Sequence, residues 1–238
     1  MNKNKIAIFD IDGTIFRKNL HFELINELVW LGVFPENVRR ELNRAYTSWL
    51  EHKGTYGNYR ETLVKMYGEY VKGCSVEDVE KASKLVVPFH KDRTYVFAEK
   101  LISDLKTKNY HIIAVSGSPI EIVKDFNEMH LGFDEVFGTI YESNEKGLYT
   151  GKESYTPIGG EKGQLVKQYV YENDLTFEGS YGIGDTESDA SFLDLVDNPI
   201  AFNPNQNLKK IAEEKDWKII IEKKDVIYNL DNCEIVVE

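Results

Sequence analysis

Lys5-Ile6-Ala7-Ile8-Phe9-Asp10-Ile11-Asp12-Gly13-Thr14 is the stretch on which the reading of this 238-residue chain turns. Its apolar half reads as a short buried strand, and Gly13-Thr14 as the turn that leaves it. Asp10 and Asp12 are two positions apart, so near a strand end they can face the same side. Two like charges that close are costly unless neutralised. A divalent cation is one solution, and Mg2+ favours carboxylate oxygens. Taken alone, the stretch is equally well a strand followed by a polar turn.

Downstream the character changes. Leu20, Leu24, Leu28 and Leu31 recur at helical spacing, with Gly32 and Pro35 beyond them. Glu36 to Glu51 and Tyr59 to Val71 predict two more helices. Ser75 opens a fourth, which Pro88 is expected to stop. This all-helical insert of roughly 70 residues is large enough for a small domain. From Asp92 strands and helices alternate: a helix over 94–108, a strand at 110–116, and a helix after Pro119 with Ser118 as candidate N-cap. Then come a strand at 133–138, a hairpin of 141–144 with 148–151, a helix over 160–173, and a strand at 180–183. A helix over 188–195, a strand at 199–202, a helix over 205–215 and a strand at 217–221 follow, with Cys233–Val237 as a possible edge strand. The expected fold class is α/β, a doubly wound, mainly parallel, Rossmann-like sheet. Residues 1–18 and 92–238 form the core, and 19–91 an inserted helical cap domain.

In such sheets ligands bind at the carboxyl ends of strands, and other strands here also end in useful chemistry. The strand before Ser116-Gly117-Ser118-Pro119 ends in a hydroxyl, a small residue and a helix start. That combination suits an anion, or is an ordinary turn with a capping serine. Gly184-Asp185-Thr186-Glu187-Ser188-Asp189 places Asp185 and Asp189, two more carboxylates, at a third strand end, as ligands or as a helix cap. Lys162 lies at a helix start, where dipole logic slightly disfavours a cation.

Asp10-x-Asp12-Gly-Thr, Ser116, Lys162 and Gly184-Asp185-x3-Asp189, in that order, resemble the four motifs of the haloacid dehalogenase superfamily. The insert resembles the cap of its phosphoserine-phosphatase-like subgroup. The resemblance implies a Mg2+-dependent phosphatase of a small phosphomonoester, working through an aspartyl-phosphate. By the same resemblance Asp10 is the nucleophile and Asp12 the acid/base. Asp10, the backbone carbonyl of Asp12, and Asp185 hold the metal, with Asp189 close by. Ser116 and Gly117 hold phosphoryl oxygens, and Lys162 balances charge at nucleophile and phosphate. A phosphotransferase or mutase using the same chemistry, and a non-catalytic binding protein, are the alternatives. Phosphoserine phosphatases, the resemblance implies, carry Glu nine positions after the nucleophile and Asn just before the last Asp. Asn19 and Ser188 stand there, which speaks against phosphoserine. Arg60 or Arg44 could meet a substrate carboxylate. Trp30, Tyr46, Trp49, Tyr56, Tyr59, Tyr67 and Tyr70 read as cap core, with a cationic head group as the other occupant such rings could hold.

Bulk properties narrow the class. With 29 Lys+Arg against 40 Asp+Glu, the net charge of -11 speaks against nucleic-acid binding but leaves room for a small phosphorylated metabolite. Cys74 and Cys233 form no C-x-x-C pair, which suits a reducing compartment. No apolar run approaches the ~20 residues of a membrane span, and no signal-peptide h-region is seen, so the expectation is a cytoplasmic protein without a membrane partner. The five histidines show no ligand spacing and read as structural or exposed.

Overall fold

Ile6, Ala7, Ile8 and Phe9 are all fully buried, a pattern that needs a strand covered on both faces. In the computed structural model, which describes residues 4–157 and 160–230, they form β1 (Lys5–Phe9). Parallel to it lie β2 (His111–Pro119) on one side and β5 (Thr176–Gly184) on the other. Past β2 come β3 (Glu135–Ser143), parallel, and β4 (Tyr149–Tyr155), antiparallel. Past β5 come β6 (Asn198–Phe202) and β7 (Lys218–Lys223), parallel, and then β8 (Val226–Asn229), antiparallel. The order is β4-β3-β2-β1-β5-β6-β7-β8. The chain therefore winds outward from β1 to β4 and then crosses back to begin the other flank at β5. The Asp10 N–H donates to the Ile183 carbonyl at 2.9 Å, so the ends of β1 and β5 meet at this reversal, where open α/β sheets bind ligands.

Four helices make up the insert that follows β1: α1 (Leu20–Trp30), α2 (Glu36–Leu50), α3 (Tyr56–Val71) and α4 (Val76–His90). Their buried stripes, among them Leu24, Leu28, Leu42, Leu63 and Val86, join the core cluster that also holds Phe9. The two chain crossings into this insert run side by side. Arg17 N–H donates to the Arg93 carbonyl, and Tyr95 N–H to the Ile15 carbonyl, both at 2.9 Å. Farther out the insert is tied to the β3–β4 hairpin: Gly73 N–H donates to the Tyr149 carbonyl at 2.8 Å, and Tyr149 N–H to the Cys74 carbonyl at 2.9 Å.

Strand alternation divides the core. Ala7 and Phe9 face the insert together with α5 (Val96–Thr107) and α6 (Ile120–Phe126), while Ile6 and Ile8 face α7 (Gly160–Glu172), α8 (Ala190–Leu193) and α9 (Gln206–Glu214). The doubly wound, mainly parallel sheet with an inserted helical cap is therefore as the sequence predicts. Several details differ. Pro88 does not stop α4, which runs to His90; the turn beyond it closes through Lys91 N–H to the Val87 carbonyl at 2.8 Å. The proline forfeits its own amide bond but sits so near the helix end that one turn still follows. Helix α3 begins three residues earlier than expected, because Thr55 and Asn58 form a reciprocal capping box. The segments at 133–138 and 141–144 form a single strand, β3, paired first with β2 and then with β4. Strand β8 was not foreseen, since its two-residue turn starts at Lys224, with φ 58°, where a glycine or asparagine would have signalled it. The Cys233–Val237 strand lies outside the described residues.

Candidate active site

Strand β1 ends by presenting Asp10, 5% exposed, at the switch point. One carboxylate oxygen, Oδ1, accepts from the Lys162 ammonium at 2.8 Å. The other, Oδ2, is buried and has no hydrogen-bond partner. Lys162 comes from the first turn of α7, and its helix-start position is explained by its partners. Besides Asp10, Nζ donates to Asp189 Oδ1 at 2.6 Å and to the Val115 carbonyl at 3.0 Å.

The turn after β5 supplies the rest of the acidic group. Asp10, Asp185 and Asp189 each place an oxygen within 4.8 Å of the others. Asp189 is saturated by the protein. Its Oδ2 accepts from the amides of Asp185 at 3.1 Å and Thr186 at 3.0 Å, while Oδ1 takes Lys162. Asp185 makes no side-chain hydrogen bond among the described residues. Two glycines make this crowding possible. A Cβ on Gly13 would stand 2.0 Å from Asp185 Oδ2, at a φ of +91° that also favours glycine, and one on Gly184 would stand 2.4 Å from the Asp189 Cβ.

Burial pushes the Asp10 carboxyl up to about 7; Lys162 opposes that, and Asp189 and Asp12 add to it. Burial, with the charges of Asp10 and Asp189, also raises Asp185 well above the usual carboxylate range. For Lys162 burial works against the charge, but Asp10 and Asp189 outweigh it and raise the pKa. One ammonium thus serves three buried carboxylates, two of which are driven toward protonation. The Asp10 and Asp185 carboxylates are placed for a divalent cation, with Asp189 behind them, and Asp10 still keeps Oδ2 free of any hydrogen bond. Such a cation would replace the protons.

Asp12 points elsewhere. Its Oδ1 accepts from the Leu20 N–H at 2.6 Å, and its Oδ2 from the hydroxyls of Ser116 at 2.8 Å and Ser118 at 2.6 Å. Its carboxylate is not among the clustered three, so only its backbone carbonyl would be left for a metal. Ser118 is therefore not the cap of α6: β2 runs through Pro119, the cap residue of α6, and no side-chain cap bond forms. Ser116 is fully buried, and Gly117 lines a pocket of about 80 Å³ together with Asp10, Asp12 and Lys162. The Gly117 carbonyl accepts from Thr139 at 2.9 Å.

The insert closes this pocket. Asn19, where an acid was expected by resemblance, caps α1 by accepting from the Phe22 N–H at 2.9 Å, and it also lines the pocket. Arg60 enters from α3 and donates to Thr186 Oγ1 at 3.5 Å. Burial disfavours its charge, but Tyr56, Asp185, Asp189 and Asp10 together raise its pKa. Arg44 is exposed on the outside of α2 and does not take part. Of the aromatic residues, Tyr67 is wholly buried, as the core reading requires, whereas Trp30 is 79% exposed. His21 is a site residue that spacing did not reveal. It is 2% exposed, its Nε2 has no partner, burial pushes its pKa down to about 3, and it lines the same pocket. Its place two residues past Asn19, where the chain enters the insert, was the only clue.

Residues 7–194 match the family described as haloacid dehalogenase-like hydrolase. The chain belongs to that family. A curated relative of this hydrolase, the "Inhibition of morphological differentiation protein" of Streptomyces azureus, is 25% identical over 90% of this chain and 77% of its own length. A "Histidinol-phosphatase" of Neisseria meningitidis serogroup C is also 25% identical, over 90% of this chain and 97% of its own. Among solved structures, "Phospho-Aspartyl Intermediate Analogue of Phosphoserine phosphatase" superposes with a TM-score of 0.63 at 25% identity, covering 94% of this chain and 96% of that one. No helix among the described residues of this hydrolase is long and apolar enough to cross a membrane.

Proposed function

We propose that the protein is a Mg2+-dependent phosphatase of a small phosphomonoester, acting through an aspartyl-phosphate on Asp10. The observation that carries the reading is the asymmetry of the Asp10 carboxylate: one oxygen is tied to Lys162 and the other is buried, unpartnered and in the pocket. Phosphatase chemistry in relatives of the same length and fold supports it. Bound between Asp10, the Asp12 carbonyl and Asp185, Mg2+ would neutralise the charge gathered where two anions must meet.

Asp10 Oδ2 attacks phosphorus, the bond from phosphorus to the substrate alcohol breaks, and the leaving oxygen takes a proton from Asp12. Asp12 then removes a proton from water, which attacks the same phosphorus. The bond to Asp10 breaks and phosphate is released. Lys162 holds Asp10 Oδ1 throughout, which fixes the attacking oxygen and offsets charge at the phosphoryl group. The hydroxyls of Ser116 and Ser118 hold Asp12 in place, and the backbone around Gly117 is placed to meet phosphoryl oxygens. Arg60 adds a second cation from the cap side and, with Asn19, belongs to the specificity set.

The test is hydrolysis of an activated aryl phosphate by the purified protein. Mg2+-dependent turnover that disappears in Asp10→Asn is expected. Undiminished turnover by that variant overturns the proposal.

A further inference from the structure

A cleft of about 920 Å³ lies between α1–α3 and the loop that follows β6. It is continuous with the catalytic pocket: Asn19, Tyr56 and Asp185 line both. The catalytic pocket itself, at about 80 Å³, has room for little beyond a phosphoryl group. The alcohol portion of a substrate held at Asp10 must therefore pass Tyr56 into the cleft.

One wall of the cleft is aromatic. Phe22, Tyr46, Trp49, Tyr56 and Tyr59 line it and hold one another in place. Tyr46 and Tyr59 meet edge to face with ring centroids 5.3 Å apart, while Trp49 and Tyr56, at 5.1 Å, and Phe22 and Tyr46, at 6.0 Å, meet at tilted angles. Mutual packing of this kind fixes the ring positions before any ligand arrives, which lowers the entropy cost of binding. Tyr59 is the buried base of the cluster, while Phe22, Tyr46, Trp49 and Tyr56 are only half-buried and offer surface to the cleft. The facing wall is made largely of amides: Asn203, Asn205, Gln206 and Asn207. At the rim Arg17 pairs with Glu222 and Lys18 with Glu23, and the Glu187 carboxylate accepts from the Asn205 amide. An aromatic wall opposite amides matches an uncharged planar ring with a polar edge, the rings meeting its faces and the amides its edge.

Resting on the phosphatase reading, we propose that this cleft is the leaving-group site and selects phosphomonoesters whose alcohol carries an uncharged planar ring. The cleft is far larger than a serine-sized alcohol needs, in line with the loss of the acid at position 19.

The experiment compares kcat/KM, with Mg2+, for 2-phenylethyl phosphate, n-propyl phosphate and phosphocholine. All are esters of alkyl alcohols, so differences in leaving-group acidity are kept small. The ring substrate is expected to exceed both others by about tenfold or more. In Trp49→Ala the ratio of ring to propyl substrate should fall by about tenfold, and Trp49→Phe should restore most of it. The wild-type ratio stands on its own should the alanine variant fail to fold. Equal kcat/KM for ring and propyl substrates, an unchanged ratio in a folded Trp49→Ala, or a preference for phosphocholine overturns the inference while leaving the phosphatase reading intact. Failure to hydrolyse any of the three, or an activated aryl phosphate, overturns both.

Discussion

Lys162→Met removes the ammonium at the centre of the site while keeping a stem of similar length. In the intact protein Nζ lies 2.8 Å from Asp10 and 2.6 Å from Asp189, and the residue is 2% exposed. Breaking a buried ion pair by deleting one partner costs about 3–5 kcal/mol, because the other partner is left charged and dry. Protonation limits that cost. Asp10 already titrates at about 7 through burial, against the pull of Lys162, and without the ammonium its pKa climbs further. Unfolded Asp10 is deprotonated above about pH 4 in both proteins, so whichever folded form keeps its proton loses stability as pH rises, by up to about 1.4 kcal/mol per pH unit. The wild type stops losing stability from this group once the pH passes about 7, whereas the variant goes on losing it. The deficit of Lys162→Met should therefore be about 3 kcal/mol or more at pH 8 and smaller at pH 5.5. Urea denaturation in EDTA at both pH values measures it. A deficit below about 1 kcal/mol at pH 8, or one equal at the two pH values, refutes the reasoning.

Two further outcomes follow from the same geometry. Gly13→Ala places a methyl 2.0 Å from Asp185 Oδ2; a shift of the acidic cluster should lower kcat by about a hundredfold, and wild-type turnover would contradict it. His21 is buried with its pKa pushed down to about 3, so the folded form binds fewer protons than the unfolded form between about pH 3 and 6.5, and the wild type loses stability as pH falls through that window. In His21→Phe this loss should vanish, moving the stability difference toward the variant by about 2 kcal/mol between pH 6.5 and 5; denaturation curves whose difference does not change with pH would rule this out.

Much of the fold was legible because β1 is nearly pure in its signal. Four buried apolar residues followed by two carboxylates can hardly be anything but an inner strand with a polar end. The residues gathered at the candidate site were legible for a related reason: Asp10, Ser116 and Asp185 come where apolar runs stop abruptly. Roles that depend on distance were not. Ser118 looks like a helix cap until β2 and β1 are laid side by side and its hydroxyl reaches Asp12. His21 carries no spacing signal, because its surroundings come from α1, α3 and the core together. The aromatic residues of the insert share helical spacing, yet Tyr67 is core, Trp30 is exposed, and Tyr46 and Trp49 line a cleft. Periodicity assigns a face to a helix but does not say whether that face meets another helix or an open cavity.

Rapid acid quench with an aryl phosphate tests most directly whether the phosphoryl group passes through an acyl phosphate on Asp10. The protein used is Asp12→Asn, since an aryl leaving group needs no proton and the second step is deprived of its base. A stoichiometric burst of phenolate is expected, with the mass of one phosphoryl group on the peptide containing Asp10 and none in the Asp10→Asn protein. Steady release of phenolate with no burst, or a phosphoryl group on any other residue, would contradict the account.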